Sequence, residues 1–529
     1  MSGIAGFKRV FAFRRVVARF LGPQRLATRT EWPSRKSPEK RALNMESSVC
    51  HGCMLHLEAY INWLDDIIWG RYFIVILLAV GIYYSIRLKF PQVVMAKYAL
   101  SVITEKDHGA KGNKSHISPY EALMISMGTR VGIGTIVGMA VAVVQGGPGV
   151  IVWMWLAAFL NGAISVAENT LGQVYKSRDG DGFKGGAPYY LAKGLGARKL
   201  AIVSSALMIL TGWSFSVLFS YTIYTSFEPW VPAAAAGASH LSLYVGAGIV
   251  VFASIMFFGG GRYIARFTSY VTPFMSVGFI LIALYSIAIH WDKAGRILGQ
   301  ILDSAFDVGS ILGGFAGSVL VIGIKRAMFA NEAGLGSVPG AAAAAHTSHP
   351  VKQGIVQAFC VFVDTLIASL SVLFVLFSDS YGNALTDADG QRLTALPLVQ
   401  SAMRESLGVF GNYYMTFLIV VLTATVLVGS YYIGQMNLKY ISDKRLTVNA
   451  YRIVTIGVLF IGAQASLDLA WNTANVVMGL CATINIVAVF LLFKVVKVSV
   501  DDFLNQKRQG INPTFSARKL GIENAECWD

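Results

Sequence analysis

Residues 128–138 read GTRVGIGTIVG: four glycines, two threonines and an arginine inside a stretch otherwise apolar enough to span a membrane. Glycine weakens a helix by about 1 kcal/mol relative to alanine. Gly128, Gly132, Gly134 and Gly138 therefore mark a place where helical hydrogen bonding is built to stop. Main-chain groups released at membrane depth are tolerated only where protein, ligand or water satisfies them. Freed N–H groups at the start of a half-helix attract a carboxylate. Freed carbonyls, with the hydroxyls of Thr129 and Thr135, can hold a small hard cation. The chemistry on offer is binding rather than bond-making. Gly134 and Gly138 also fit a helix-packing motif, the alternative for one glycine-rich span taken alone. A nucleotide-binding loop does not fit, because Gly132, Gly134 and Gly138 miss the G-x-G-x-x-G spacing and no Gly-Lys-Ser/Thr follows.

A second cluster, GGFAGSVLVIG, holds Gly313, Gly314, Gly317 and Gly323 around Phe315. Its importance depends on the elements that carry the two clusters. The chain has 529 residues, 55% hydrophobic and 14% charged, with a mean hydropathy of +0.56. That composition belongs to a polytopic membrane protein. The formal charge of +15 is scattered through loops and is no nucleic-acid signal. Five cysteines (Cys50, Cys53, Cys360, Cys481 and Cys527) give neither a disulfide framework nor a zinc spacing.

Apolar runs of about 20 residues cross a bilayer core. Eleven are predicted: 67–88, 121–144, 149–174, 199–226, 241–259, 267–290, 309–332, 353–378, 412–438, 449–466 and 471–496. The stretch 379–411 reads as a solvated loop. Lys and Arg concentrate after the odd-numbered spans, which places those loops and the C-terminus in the cytoplasm. The glycine clusters then fall in spans 2 and 7. Spans 2–6 start from the inside and spans 7–11 from the outside. Five plus five spans with opposite starting sides is the arithmetic of an inverted repeat. Paired Gly-interrupted spans in its two halves point to a transporter site.

Residues 1–53 carry eleven Lys or Arg and three acids. This basic extension reads as a targeting segment, as a cytoplasmic tail, or as a start-site artefact with translation beginning at Met54. The third reading makes the topology self-consistent. The predicted organisation is 1–53 extension, 54–500 transmembrane domain and 501–529 cytoplasmic tail.

Several motifs then carry a family resemblance. GGPGVIVWMWLAAFLNG (146–162), GGAPYYL (185–191), FVDTL (362–366), NWLDDIIWG (62–70) with IRLKFPQ (86–92), and above all the run from Gly313 through FANEAGLGS (329–337) to Gly354 resemble the alanine/glycine:cation symporter family. The resemblance covers about 60–500. It implies an all-α leucine-transporter-type fold with one extra span before the ten-span core. It also implies symport of a small neutral amino acid with sodium or protons, in a cell membrane, with a bacterial inner membrane expected. By the same resemblance, main chain around Gly132 and Gly134 meets the substrate carboxylate. Main chain at Gly313, Gly314 and Gly317, with Phe315, faces the substrate from the other repeat, and sodium lies between spans 2 and 9 near Thr425. No enzymatic cofactor is implied, and oligomeric state is left open.

The chain departs from that pattern at functional positions. Thr135 stands where the family usually has Asn, and Val137 where it has Ala. Thr425-Val426 replaces Ser-Thr, and Ser430 stands in place of Trp. Leu218 and Ser220 replace amides, and Asn475 replaces Asp. Arg130 reads either as a gate partner at the cytoplasmic edge or as a side chain reaching the interface. Glu168 and Asp364, the acids deepest in spans, read as proton relays or structural hydrogen bonders. Asn331 and Glu332 read as a latch or a solvated helix end at the inner end of span 7. His346 and His349 read as surface residues. Secondary symport is the leading function. A transporter-like amino-acid sensor and a symporter of another small zwitterion are the alternatives. An enzyme is not supported, because no nucleophile–base pair or metal cluster is present.

Overall fold

The break in span 2 is explicit in the computed structural model. This structure describes residues 60–105 (apart from 62 and 66), 117–180, 182–231, 240–259, 261–307, 309, 318–383, 386, 393, 395–464 and 467–528. The basic extension 1–53 and Gly313, Gly314, Phe315 and Gly317 lie outside the described residues. The first membrane helix, α1 (Arg71–Arg87), continues as a bent pair into Pro91–Ile103, at 58°. Span 2 is two helices, α2 (Pro119–Arg130) and α3 (Ile133–Gly146). There follow α4 (Val150–Val174), α5 (Arg198–Ser226), α6 (Leu241–Gly259) and α7 (Gly261–Ile289). The second half holds α8 (Val319–Asn331), α9 (Pro339–Ala344), α10 (Pro350–Phe377), α11 (Val409–Ile441), α12 (Arg445–Gly462), α13 (Leu467–Leu491) and α14 (Phe493–Arg508). Among the described residues, nine helices are long and apolar enough to cross a membrane, counting α2 and α3 as one.

Local chemistry sets the ends. Ser118 and Glu121 form a reciprocal capping box at the start of α2, with Pro119 at the first helical position. Gly132 is extended rather than left-handed, so its lack of a side chain answers to space. A Cβ there would run into Val426 of α11.

Span 7 is described from Ser318 onward, and its predicted break at Gly313–Gly317 lies before that. The half-helix α8 has 13 residues, about 20 Å, and stops at Asn331. Glu332, Gly334 and Gly336 then adopt φ of 51°, 85° and 83°, left-handed values that end any α-helix. The chain resumes as the short α9. An interruption at 332–338 therefore follows the half-helix, while Gly313, Gly314, Phe315 and Gly317 of GGFAGSV lie outside the described residues. Asn331 and Glu332 accordingly lie inside the bundle, buried at 1% and 2% exposure, not at a solvated helix end.

Two further expectations change. The stretch 379–411 contains the helix Ala395–Leu407, which buries Leu396, Val399 and Met403. The C-terminal segment packs on the bundle. Phe515, Ala517, Ala525 and Trp528 join the main core. Trp528 donates its indole N–H to Gln173 O (2.7 Å), and Ser348 donates to Pro513 O (2.7 Å). Lys176 sits between the rings of Phe183 and Trp528, 3.9 and 4.5 Å from their centroids. Burial holds its amine down to about 7. His349 is buried, not a surface residue. Its Nδ1 accepts from Val351 N (3.2 Å), so Nε2 carries the hydrogen that faces Asp502 Oδ2 at 3.2 Å. Removing residues 510–528 exposes these buried groups. The thermal midpoint of the purified protein should fall by about 5 °C or more. An unchanged midpoint would show that this segment adds nothing to stability.

Candidate functional site

The two breaks face each other. Phe329, in the last turn of α8, lies against Gly134 in the first turn of α3. A Cβ on Gly134 would stand 2.9 Å from Phe329 Cδ1. Phe329 stacks on Trp471 of α13 (5.1 Å, 13°) and leans on Phe215 of α5 (5.4 Å). Arg326, one turn earlier, lies over the other side of this group, 4.5 Å from the Trp471 ring. Val426 closes on Gly132, and the Thr129 methyl packs on Gly429 of the same helix α11. The walls are thus aromatic and aliphatic, and the floor is main chain. The N–H groups of Ile133, Gly134 and Thr135 open α3 and have no partner within that helix.

Thr135 is fully buried, and its Oγ1 lies 2.7 Å from Arg130 O and 2.7 Å from Asp364 Oδ1. A hydroxyl has one hydrogen, which can serve only one of these oxygens. The second contact calls for a proton on Asp364 or a cation among the three oxygens. Asp364 Oδ2, also buried, has no hydrogen-bond partner. A hydroxyl of α10, Ser371 Oγ, donates to Ile136 O (3.0 Å) and ties the same helix face to α3.

The other predicted residues divide clearly. Thr129 donates to Ser126 O (2.9 Å) and Thr425 to Leu422 O (2.7 Å), each back along its own helix, with oxygen lone pairs left over. Thr425 adjoins Val426, so the span 2–span 9 contact is formed. Glu168 of α4 clamps the second break. Its Oε1 accepts from Gly334 N (3.0 Å), and its Oε2 from Gly336 N (3.2 Å) and Asn485 Nδ2 (2.7 Å). Tyr190 completes this set by donating to Asn485. Glu332 accepts from Ser337 Oγ (2.6 Å), and Asn331 from Ala333 N (3.0 Å). Arg130 is 1% exposed and reaches no interface. Its Nη1 donates to Gln357 O (3.1 Å).

Among the departures, Leu218 is buried core. Ser220 faces Gly462 of α12. Asn475 accepts the Trp69 indole through its carbonyl (3.0 Å), with its side-chain oxygen unpartnered. Sequence reasoning missed Phe215 and Trp471 as walls, and the interruption at 332–338. The available signal was Gly334-Leu335-Gly336, which repeats the Gly132-Ile133-Gly134 spacing.

A bundle with two interrupted helices meeting inside it defines a multi-pass secondary transporter of the inverted-repeat class. Among solved structures, MhsT in complex with L-phenylalanine shares the leucine-transporter-type fold. Its TM-score is 0.54 and its identity 16%, over 79% of this chain and 97% of that one. The chain belongs to the sodium:alanine symporter family, whose sequence profile matches residues 54–517. It is 37% identical over 475 residues to the probable sodium/glutamine symporter GlnT of Bacillus subtilis, covering 89% of this chain and 96% of that protein. It is 33% identical to the sodium/alanine symporter AgcS of Methanococcus maripaludis, covering 85% and 97%. The protein is accordingly a sodium-coupled amino-acid symporter and not an enzyme.

Proposed function

We propose that the protein carries a small neutral amino acid of the alanine/glycine class, coupled to a cation held at Thr135 and Asp364. The observation that carries this reading is the junction of the two breaks. The opening N–H groups of α3 suit a carboxylate. Main chain at Gly313, Gly314 and Gly317, with Phe315, faces the amino acid from the other repeat. Phe329 lies so near Gly134 that only a short side chain fits between the aromatic walls. Thr135 Oγ1, Arg130 O and Asp364 Oδ1 supply a hydroxyl, a carbonyl and a carboxylate to one cation. The carbonyls at the end of α2, with Thr425, offer a second contact.

Orientation follows from charge. The bundle end that holds Lys176, Lys184, Lys193, Lys352, Lys439 and the C-terminal segment faces the cytoplasm. The tested system is purified protein in liposomes, with radiolabelled alanine, glycine and glutamine. Sodium-gradient-driven accumulation of alanine or glycine is expected, lost in Asp364→Asn. Glutamine accumulation in their place would move the substrate to that of the GlnT relative. Binding without accumulation under sodium or proton gradients would make the protein a sensor.

A further inference from the structure

A cavity of about 550 Å³ lies between α5, α6, α7 and α11, on the far side of α11 from the first break. Tyr244, Gly248 and Phe252 line it from α6, four residues apart on one helix face. Val420, Ala424 and Leu427 face them from α11. The eight residues from Tyr244 to Phe252 make it a slot about 12 Å long, parallel to the helices. At its deep end Phe252 meets Phe267 of α7, with ring centroids 5.8 Å apart. Every lining side chain is apolar except for the phenol of Tyr244. A zwitterion or a cation would find no polar partner there.

The slot opens on the bilayer. Gly248 is exposed, and a Cβ on it would meet nothing within 4 Å. Val251, Ile255 and Phe258 of the same helix are exposed as well, a surface that only lipid can cover. The loop 227–240 between α5 and α6 has no Lys or Arg, which puts this end of the slot outside. Trp230 stacks on Tyr413 there (4.2 Å), and the exposed Tyr244 stands in the first turn of α6. These rings form an aromatic belt at headgroup level. The slot therefore runs from the headgroups toward the midplane, the direction of a lipid chain.

We propose that this groove binds one acyl chain of an outer-leaflet phospholipid. Three observations name the occupant: the apolar lining, the direction of the slot, and its continuity with the lipid-covered face of α6. A chain in the slot has van der Waals contact on several sides, whereas one on the outer face of α6 has it on one. The bound chain also backs the helix that closes the first break. Ala424 faces the groove, and Val426, about 200° further round α11, stands against Gly132.

The test is photolabelling of the purified protein in nanodiscs of phosphatidylcholine that carries a diazirine midway along one acyl chain. Labelled residues are mapped by mass spectrometry. Label at Val421, Phe252 or Phe267 should exceed label at the exposed Val251 and Ile255 by about threefold or more. Gly248→Phe and Ala424→Leu each place a side chain in the slot, and should bring that excess down to the level of Val251. Its loss in either variant, with an unchanged size-exclusion profile, supports the site. An even spread of label along α6 in the unaltered protein overturns the proposal, and so does an excess that both variants keep. A second copy of the chain is the rival apolar occupant. A dimer in native mass spectrometry, with the groove unlabelled and Val251 labelled, would assign the groove to that copy and overturn the lipid site. Should neither variant fold, the distribution of label in the unaltered protein decides alone.

Discussion

Gly134→Leu is expected to cut amino-acid uptake by at least about a hundredfold while the protein is still made and folded, since a displacement of about 1 Å at a site can cost that much. A Cβ at position 134 would stand 2.9 Å from Cδ1 and 3.0 Å from Cε1 of Phe329. The ring cannot simply turn away, because Trp471 stacks on one side and Phe215 leans on the other. The leucine must therefore point into the space proposed for the substrate, or push Phe329 into it. The opening N–H groups of α3 stay in place, so the loss is of room and not of the carboxylate anchor. Gly134→Ala grades the effect, retaining partial uptake with a raised KM. Vesicle uptake checks both variants, with size-exclusion profiles to confirm folding. Uptake by the leucine variant within a few-fold of the original would remove the site from between the two breaks.

Much of this arrangement can be read from the chain, and the part that cannot has physical reasons. Long apolar runs set the spans, because length and hydropathy alone decide whether a helix can cross. The first break is legible because glycine density coincides with two hydroxyls and a charge. The same signal marks GGFAGSV, of which Gly313, Gly314, Phe315 and Gly317 lie outside the described residues. The interruption at 332–338 is harder to read, because what marks it is backbone that turns left-handed at Glu332, Gly334 and Gly336 and not glycine density. Arg130 is similar. Its side chain was long enough to suggest escape to the interface. The capping box at Ser118 and Glu121 fixes the start of α2, and twelve residues of helix put Arg130 about 18 Å inside. Asp364 could be placed in a span from sequence, but not opposite Thr135, because that pairing joins residues 229 apart.

Glu168 poses the sharper question, because a buried acid in a membrane invites a proton-relay reading. Its geometry argues for a clamp. The carboxylate takes all its hydrogen bonds from donors that have little alternative: Gly334 N, Gly336 N and Asn485 Nδ2. Gly334 and Gly336 are left-handed, and the N–H groups of such a loop have no helical carbonyl to turn to. Glu168→Ala leaves three buried donors unpaired, and each costs about 1–3 kcal/mol. The expected result is a large fall in thermal midpoint, or no folded protein at all, and no transport. Glu168→Gln discriminates the two roles. It keeps the size, but its NH2 group meets donors where an acceptor is required. A clamp therefore predicts a lowered midpoint and lost uptake at every pH. A relay predicts a normal midpoint with uptake that loses its dependence on a proton gradient. Unfolding curves beside uptake at several pH values decide between them. A stable, sodium-driven Glu168→Gln variant would show that the second break is held by something other than this carboxylate.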